Sequence, residues 1–140
     1  MDKILNEYLI LFIYLALAAL YDVRFFAVPR WLAYFAFFGR VICVREGLLE
    51  SLALSGMLSL AIYFIACLIE KKNGSVVFGM GDIYIIFIIG IYTDIWICLT
   101  AIFFACAFAL IIMILFRGVM CFSEFPLAAA FLFGTLAALW

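Results

Sequence analysis

The sequence predicts an all-α, polytopic membrane protein with six transmembrane helices, built as a single membrane-embedded domain over residues 1–140. Hydrophobic residues make up 73% of the chain and charged residues only 12%, whereas a soluble domain is typically about 45–50% apolar and about 25% charged. Charged and turn-forming residues divide the chain into six apolar segments, without the alternation of a membrane β-barrel. We expect helices because backbone groups in lipid must be hydrogen-bonded within their own segment.

The six segments differ in length. A crossing helix needs about 20 residues, with a range of about 17–25. The third and fifth segments meet this length comfortably, while the second and sixth are short. Arg40 lies inside the second segment and is expected to reach up to the lipid headgroups. The predicted spans are 4–21, 31–44, 51–69, 76–92, 95–116 and 125–140.

Composition also excludes several kinds of site and partner. The net charge of −1 provides no basic face for phosphates, so the expected surroundings are a lipid bilayer and not nucleic acid. The chain has no His, which excludes Ser-His and Cys-His nucleophiles and the His pairs of metalloproteases. The five cysteines form no CxxC pair and lie mostly in apolar runs, where a free thiol acts as a small hydrophobic group. We predict no metal and no cofactor.

Two aspartates stand out against this apolar background. Asp22 follows the first segment, and Asp82 closes a Gly79-Met80-Gly81-Asp82 turn before the fourth. An ionisable group at the edge of a membrane helix is costly, which makes it a candidate functional residue. In an alternating bundle both fall on one side of the membrane, whereas Asp94 falls on the other. Two neighbouring carboxyls can share one proton and activate water, as in aspartyl proteases.

Other interpretations of these residues stay open. A carboxyl at a helix end is often only a helix cap. In a non-catalytic membrane protein, such as an assembly subunit for pili or secretion or a small transporter, Asp22 and Asp82 would instead form a proton or cation site. For the protease, Gly79 and Gly81 are expected to admit positive φ angles and to let a substrate backbone approach.

The distribution of basic residues predicts the orientation. Cytoplasmic loops of membrane proteins carry an excess of Lys and Arg, and the side with both aspartates has more of them. We therefore expect a multi-pass protein of the cytoplasmic membrane whose active site faces the cytoplasm. Five basic residues lie on that side (Arg24, Arg30, Lys71, Lys72 and Arg117) and three on the other (Lys3, Arg40 and Arg45).

Three stretches resemble motifs of one family. In "YDVRFFAVPRWL", Asp22 is followed seven residues later by Pro29; "GMGD" ends at Asp82; and "SEFPLAAAFLFGTL" contains Phe125 and Pro126. These stretches are similar to the two catalytic motifs and the final helix of the type IV prepilin peptidases and the related archaeal preflagellin peptidases. Order, spacing and the six-helix count agree across nearly the full length.

The resemblance implies a membrane aspartyl endopeptidase that removes the short cytoplasmic leader from prepilin-like or preflagellin-like membrane precursors. Arg30 stands where the family usually has Asn or Asp, and Tyr84 where it usually has Lys. Both are expected at the cytoplasmic rim of the site, where the charged residues of the leader would bind. The sequence lacks the CxxC-bearing region of the larger members, so we expect no N-methyltransferase activity. The implied catalytic residues are Asp22 and Asp82, and the implied site-shaping residues are Gly79, Gly81, Pro29, Arg30, Tyr84, Phe125 and Pro126.

Overall fold

A computed structural model describes residues 2–43, 47–74, 79–115 and 126–140, with side chains from residue 8 onward except that of residue 73. The described residues form six α-helices and no strand, which confirms the all-α prediction for this part of the chain. The helices are α1 (Asp2–Phe25), α2 (Arg30–Cys43), α3 (Leu48–Asn73), α4 (Met80–Tyr92), α5 (Ile95–Leu115) and α6 (Leu127–Leu139).

Three helices are long and apolar enough to cross a membrane, fewer than the six predicted. They are α1 over Tyr8–Phe25, α3 over Leu48–Lys72 and α5 over Ile95–Leu115. The others, α2, α4 and α6, have 14, 13 and 13 residues, or about 20 Å at 1.5 Å per residue. The hydrocarbon core is about 30 Å thick. The chain is therefore consistent with a membrane protein, and the crossings by α2, α4 and α6 stay a prediction.

Contacts at the helix ends show that the six helices alternate in direction. The Asp22 carboxylate, in the last turn of α1, accepts a hydrogen bond from the Ala128 N–H in the first turn of α6. The Arg40 Nε, in the last turn of α2, donates to the Ile91 carbonyl, in the last turn of α4, at 3.0 Å. Val28, between α1 and α2, packs against Gly81 in the first turn of α4. Consequently α2, α4 and α6 all begin at the end of the bundle where α1 finishes. We call this end the aspartate end.

Helix α4 lies at the centre of the bundle. It packs against each of the other five helices, which explains why it is apolar on all sides although it is short. Since α4 is surrounded by protein, its first turn and Asp82 lie at the interior of the aspartate end. Its buried isoleucines are Ile83, Ile85, Ile86, Ile88, Ile89 and Ile91.

Two helices continue past the charges that were predicted to end them. Helix α1 runs to Phe25, so Asp22 lies within its last turn and not after it. Helix α3 runs to Asn73 and ends at Gly74, whose left-handed backbone (φ 69°) lets its N–H donate to the Glu70 carbonyl at 2.8 Å. Charged side chains thus mark the end of the apolar segment, while the hydrogen-bonded helix continues toward the aqueous side.

The start of α4 corrects the expectation about its glycines. Gly79 is extended, with φ −69° and ψ 151°, and Gly81 lies inside the first helical turn. The glycines with positive φ among the described residues are Gly47 and Gly74. Gly79 and Gly81 therefore do not use the left-handed backbone angles that glycine admits. An extended residue followed at once by α-helix needs no such angle.

Arg40 does not reach toward lipid headgroups as expected. Its side chain is only 8% exposed, and its Nε donates to the Ile91 carbonyl at 3.0 Å. Its guanidinium also lies 5.7 Å from the centre of the Tyr92 ring. The last turn of α4 presents unpaired carbonyls and a partial negative charge, which stabilise a cation there. Arg40 thus fixes α2 to the end of α4.

Replacing Arg40 with Met is expected to lower the free energy of unfolding by about 2–3 kcal/mol, because a charge-assisted hydrogen bond is lost and buried carbonyls are left unpaired. The matched control is Arg24→Met, since Arg24 is exposed and stacks on the exposed ring of Phe25. For this control we expect the free energy of unfolding to change by less than about 0.5 kcal/mol. Reversible unfolding in mixed micelles measures both. Equal effects of the two substitutions would contradict the assignment.

Candidate active site

Asp22 is held by the beginning of α6. Its side chain is 8% exposed, and its Oδ2 accepts a hydrogen bond from the Ala128 N–H at 2.8 Å. Ala128 is the second residue of α6, directly behind Pro126 and Leu127. Proline suits this position because the first N–H groups of a helix lack partners within it. The positive end of α6 therefore faces the Asp22 carboxyl.

Asp82 is held by the beginning of its own helix. It is the third residue of α4, half-buried, and its Oδ2 accepts from the Gly79 N–H at 3.1 Å. In return, the Asp82 N–H donates to the Gly79 carbonyl at 3.0 Å. The side chain of the third helical residue thus reaches back to the N-cap, which stabilises the helix start. This bond fixes the carboxyl and uses only one of its oxygens.

Both carboxyls lie at the aspartate end, where α4 and α6 begin, and we call them the carboxyl pair. The charge of Asp22 disfavours a negative charge on Asp82. Among the described residues, neither forms an ion pair with Lys or Arg, and the remaining oxygen of each has no hydrogen-bond partner. Two helix N-termini therefore converge on two like-charged groups. Such a pair favours a shared proton, which belongs to the pair and not to either residue.

The connection after α1 turns back toward the first turn of α4. The Phe26 N–H donates to the Asp22 carbonyl at 2.8 Å, and Phe26 adopts a φ of 50°. Left-handed backbone is uncommon for a residue other than glycine. The left-handed backbone at Phe26 ends α1 one turn after Asp22 and directs the chain back toward α4.

Gly81 allows this connection to pack closely on α4. A Cβ at Gly81 would lie 3.1 Å from the Val28 Cβ, which is too close for ordinary contact. Pro29 follows, and its carbonyl accepts the Leu32 N–H at 3.1 Å where α2 starts. The space predicted for a substrate backbone at Gly81 is thus taken by the chain's own Val28.

Arg30 and Tyr84 belong to a different surface. Both line a largely apolar groove of about 710 Å³ between α2, α3 and α4. Residues two apart on an α-helix differ by about 200°, so Tyr84 and Asp82 lie on opposite sides of α4. The structure therefore separates Arg30 and Tyr84 from the carboxyl pair. Pro126 caps α6 beside Asp22, and Phe125 lies outside the described residues.

One feature of the site was missed at the sequence level. The Ala128 N–H had a detectable signal, because a proline before an apolar segment indicates a helix N-terminus with unpaired donors. Among the described residues, no three His, Cys, Asp or Glu side chains lie close enough to hold a metal ion.

The comparisons with known proteins do not add to this geometry. No family model, curated protein or solved structure matches the chain. The similarity to prepilin peptidases therefore depends on the short motifs around Asp22, Asp82 and Pro126, and any activity must be inferred from the site itself.

Proposed function

We propose that this protein is a membrane aspartyl endopeptidase that removes short cytoplasmic leaders from pilin-like or flagellin-like membrane precursors. The observation that carries the proposal is the placement of Asp22 and Asp82 at the one end of the bundle where α4 and α6 begin. Each carboxyl is held by one backbone N–H, and among the described residues its other oxygen has no hydrogen-bond partner. Fixed geometry combined with a free oxygen is what general acid–base catalysis requires.

The proposed reaction uses the pair as a unit. The ionised carboxyl takes a proton from a water molecule, whose oxygen attacks the scissile carbonyl carbon. The protonated carboxyl donates its hydrogen to the carbonyl oxygen. When the C–N bond breaks, the proton taken from the water passes to the leaving amine. One hydroxyl of the tetrahedral intermediate returns its proton to the other carboxyl as the new carbonyl forms, so the pair again holds one proton. Which aspartate begins as the acid is left unassigned, because the two titrate together.

The lengths of the helices favour access from one side of the membrane. Helices α4 and α6 are about 10 Å shorter than the hydrocarbon core, and both begin at the aspartate end. A recess there would let water and an extended peptide reach carboxyls near the lipid boundary. The excess of Lys and Arg on this side supports a cytoplasmic opening. A precursor with a cytoplasmic leader joined to an apolar helix fits such a recess.

Cleavage by the purified protein in lipid vesicles tests the proposal. The substrate is a synthetic peptide with a short basic leader followed by an apolar helix, and mass spectrometry locates the cut. We expect a single cut at the junction, and no cut when the leader is joined to the same helix by D-residues across the junction. Proton or cation flux that depends on both aspartates, without any cut, would instead favour the ion site.

A further inference from the structure

The groove between α2, α3 and α4 lies on the side of α4 opposite Asp82. Helices α2 and α3 both pack against α4 but make little contact with each other among the described residues, so α4 forms the floor of the groove and the other two helices form its walls. Its volume of about 710 Å³ is within the range of about 300–1,000 Å³ typical of ligand pockets. The groove is therefore large enough to hold a small molecule.

The polarity of the groove changes along its length. A Cβ at Gly56 of α3 would lie 4.0 Å from the Phe87 ring of α4, which shows how these antiparallel helices align. Tyr63 and Met80 also line the groove, and each is seven residues away, about 10 Å nearer the aspartate end. Arg30 lines it at the start of α2, at that same end. We call the end with Arg30 the mouth of the groove.

The mouth carries positive charge. Arg30 is exposed, and no described residue forms an ion pair or hydrogen bond with its side chain. Helices α2 and α4 both begin at this end, so their partial positive charges add to that of Arg30. The last turn of α3 extends beyond the mouth and contributes Lys71 and Lys72 against Glu70. A molecule that matches the groove must therefore combine an anionic group with an apolar chain.

We propose that the groove binds one anionic phospholipid, with its phosphate at Arg30 and one acyl chain along α4. A guanidinium can bind two phosphate oxygens at once, and basic pockets between membrane helices on the cytoplasmic side bind anionic headgroups. The helix of a precursor matches less well, because the charge at the mouth repels a basic leader and the groove lies on the opposite side of α4 from Asp82. Lipid binding here does not depend on the proposed peptidase function.

Native mass spectrometry tests the proposal on protein released from micelles that contain equal amounts of phosphatidylglycerol and phosphatidylcholine with the same acyl chains. We expect the wild type to retain one phosphatidylglycerol, preferred by about fivefold or more, since one basic residue near anionic headgroups contributes about that factor. Arg30→Gln should remove most of this preference. A wild-type protein that retains the two lipids equally would overturn the proposal.

Arg24→Gln is the control for charge alone. Arg24 is also exposed at the aspartate end, and its substitution changes the net charge by the same amount. It stacks on the Phe25 ring of α1, however, and does not line the groove. We expect Arg24→Gln to keep the wild-type preference for phosphatidylglycerol. An equal loss of preference in the Arg24 and Arg30 variants would mean that the lipid responds only to overall charge, which contradicts a site at Arg30.

Gly56→Leu tests the placement of the acyl chain. Its side chain would enter the apolar part of the groove beside Phe87, so we expect retention of both lipids to fall about tenfold, the effect of displacing about two methylene groups. The melting temperature in detergent without phospholipid checks that the variant is folded. Unchanged retention by the folded variant would overturn the placement. Displacement of the lipid by the leader peptide, one for one, would assign the groove to the precursor and also overturn the proposal.

Discussion

Substituting Asn for Asp82 or for Asp22 is expected to reduce precursor cleavage by a factor of about 10³ or more, while the protein keeps its fold. General acid–base catalysis by one positioned group contributes roughly 10²–10⁴-fold. In a pair that shares one proton, removal of either carboxyl disables both roles. The rate of cleavage of the leader peptide in vesicles measures the effect.

The structure explains why folding should survive these substitutions. The Oδ2 of Asp22 accepts from the Ala128 N–H, and that of Asp82 accepts from the Gly79 N–H. The side-chain carbonyl of Asn can accept the same bonds, so the beginnings of α4 and α6 remain capped. Only the charge and the exchangeable proton disappear. Asn therefore removes the acid–base chemistry of the carboxyl and keeps its hydrogen bond to the helix N-terminus, whereas Ala would remove both.

Asp94→Asn is the matched control. Asp94 is exposed and lies just beyond the end of α4 at Tyr92, at the opposite end from Asp82. We expect its cleavage rate to equal that of the wild type. Cleavage by Asp22→Asn or Asp82→Asn within about tenfold of the wild-type rate would show that these aspartates are only helix caps, and the peptidase proposal would be wrong.

Gly134→Ala is expected to destabilise the protein by about 2–3 kcal/mol, the cost of forcing an extra carbon into a packed contact. Helices α5 and α6 lie in close contact at Gly134, where a Cβ would overlap the Ala101 carbonyl oxygen and lie 2.7 Å from the Ala105 nitrogen. Both are backbone atoms of α5 and cannot rotate away, so the helices must separate. Small residues at such crossings are typical of membrane helix pairs, where close packing drives association.

Gly56→Ala is the control for this prediction. A Cβ at Gly56 would meet only Phe87, at 4.0 Å, so the substitution removes a flexible residue from α3 without a clash. Alanine is favoured over glycine in a helix by up to about 1 kcal/mol, and Gly56→Ala should unfold at the same or a higher denaturant concentration. Equal stability of the two variants would mean that α5 and α6 are less tightly packed at Gly134.

Much of the fold could be predicted from the sequence, but the ends of helices could not. Six apolar segments became six helices, because apolar residues must be buried or face lipid while their backbone is hydrogen-bonded internally. The predicted ends relied on charges such as Asp22 and Lys71, yet the helices continue through both. A charged side chain is compatible with a helix that has left the apolar region, so polarity does not locate the last hydrogen bond.

The candidate site was predicted only in outline. The alternation of segments placed Asp22 and Asp82 at one end, which requires no knowledge of packing. Their partners, the Ala128 and Gly79 N–H groups, depend on how α6 and α4 begin relative to the two carboxyls. The two-residue spacing of Asp82 and Tyr84 places them on opposite sides of a helix, but packing decides that Tyr84 faces the groove between α2, α3 and α4. Such relations follow from packing between segments distant in sequence.

The sequence by itself determined the apolar helical character of this protein and the two acids that interrupt it, because composition and spacing control where a chain can bury charge. Tertiary structure alone decided that α4 lies at the centre, that Arg40 caps its end, and that the first turn of α6 meets Asp22. These tertiary contacts depend on how closely the helices approach, which is set by small residues such as Gly134 and by the shapes of side chains. A linear pattern of polarity does not encode either.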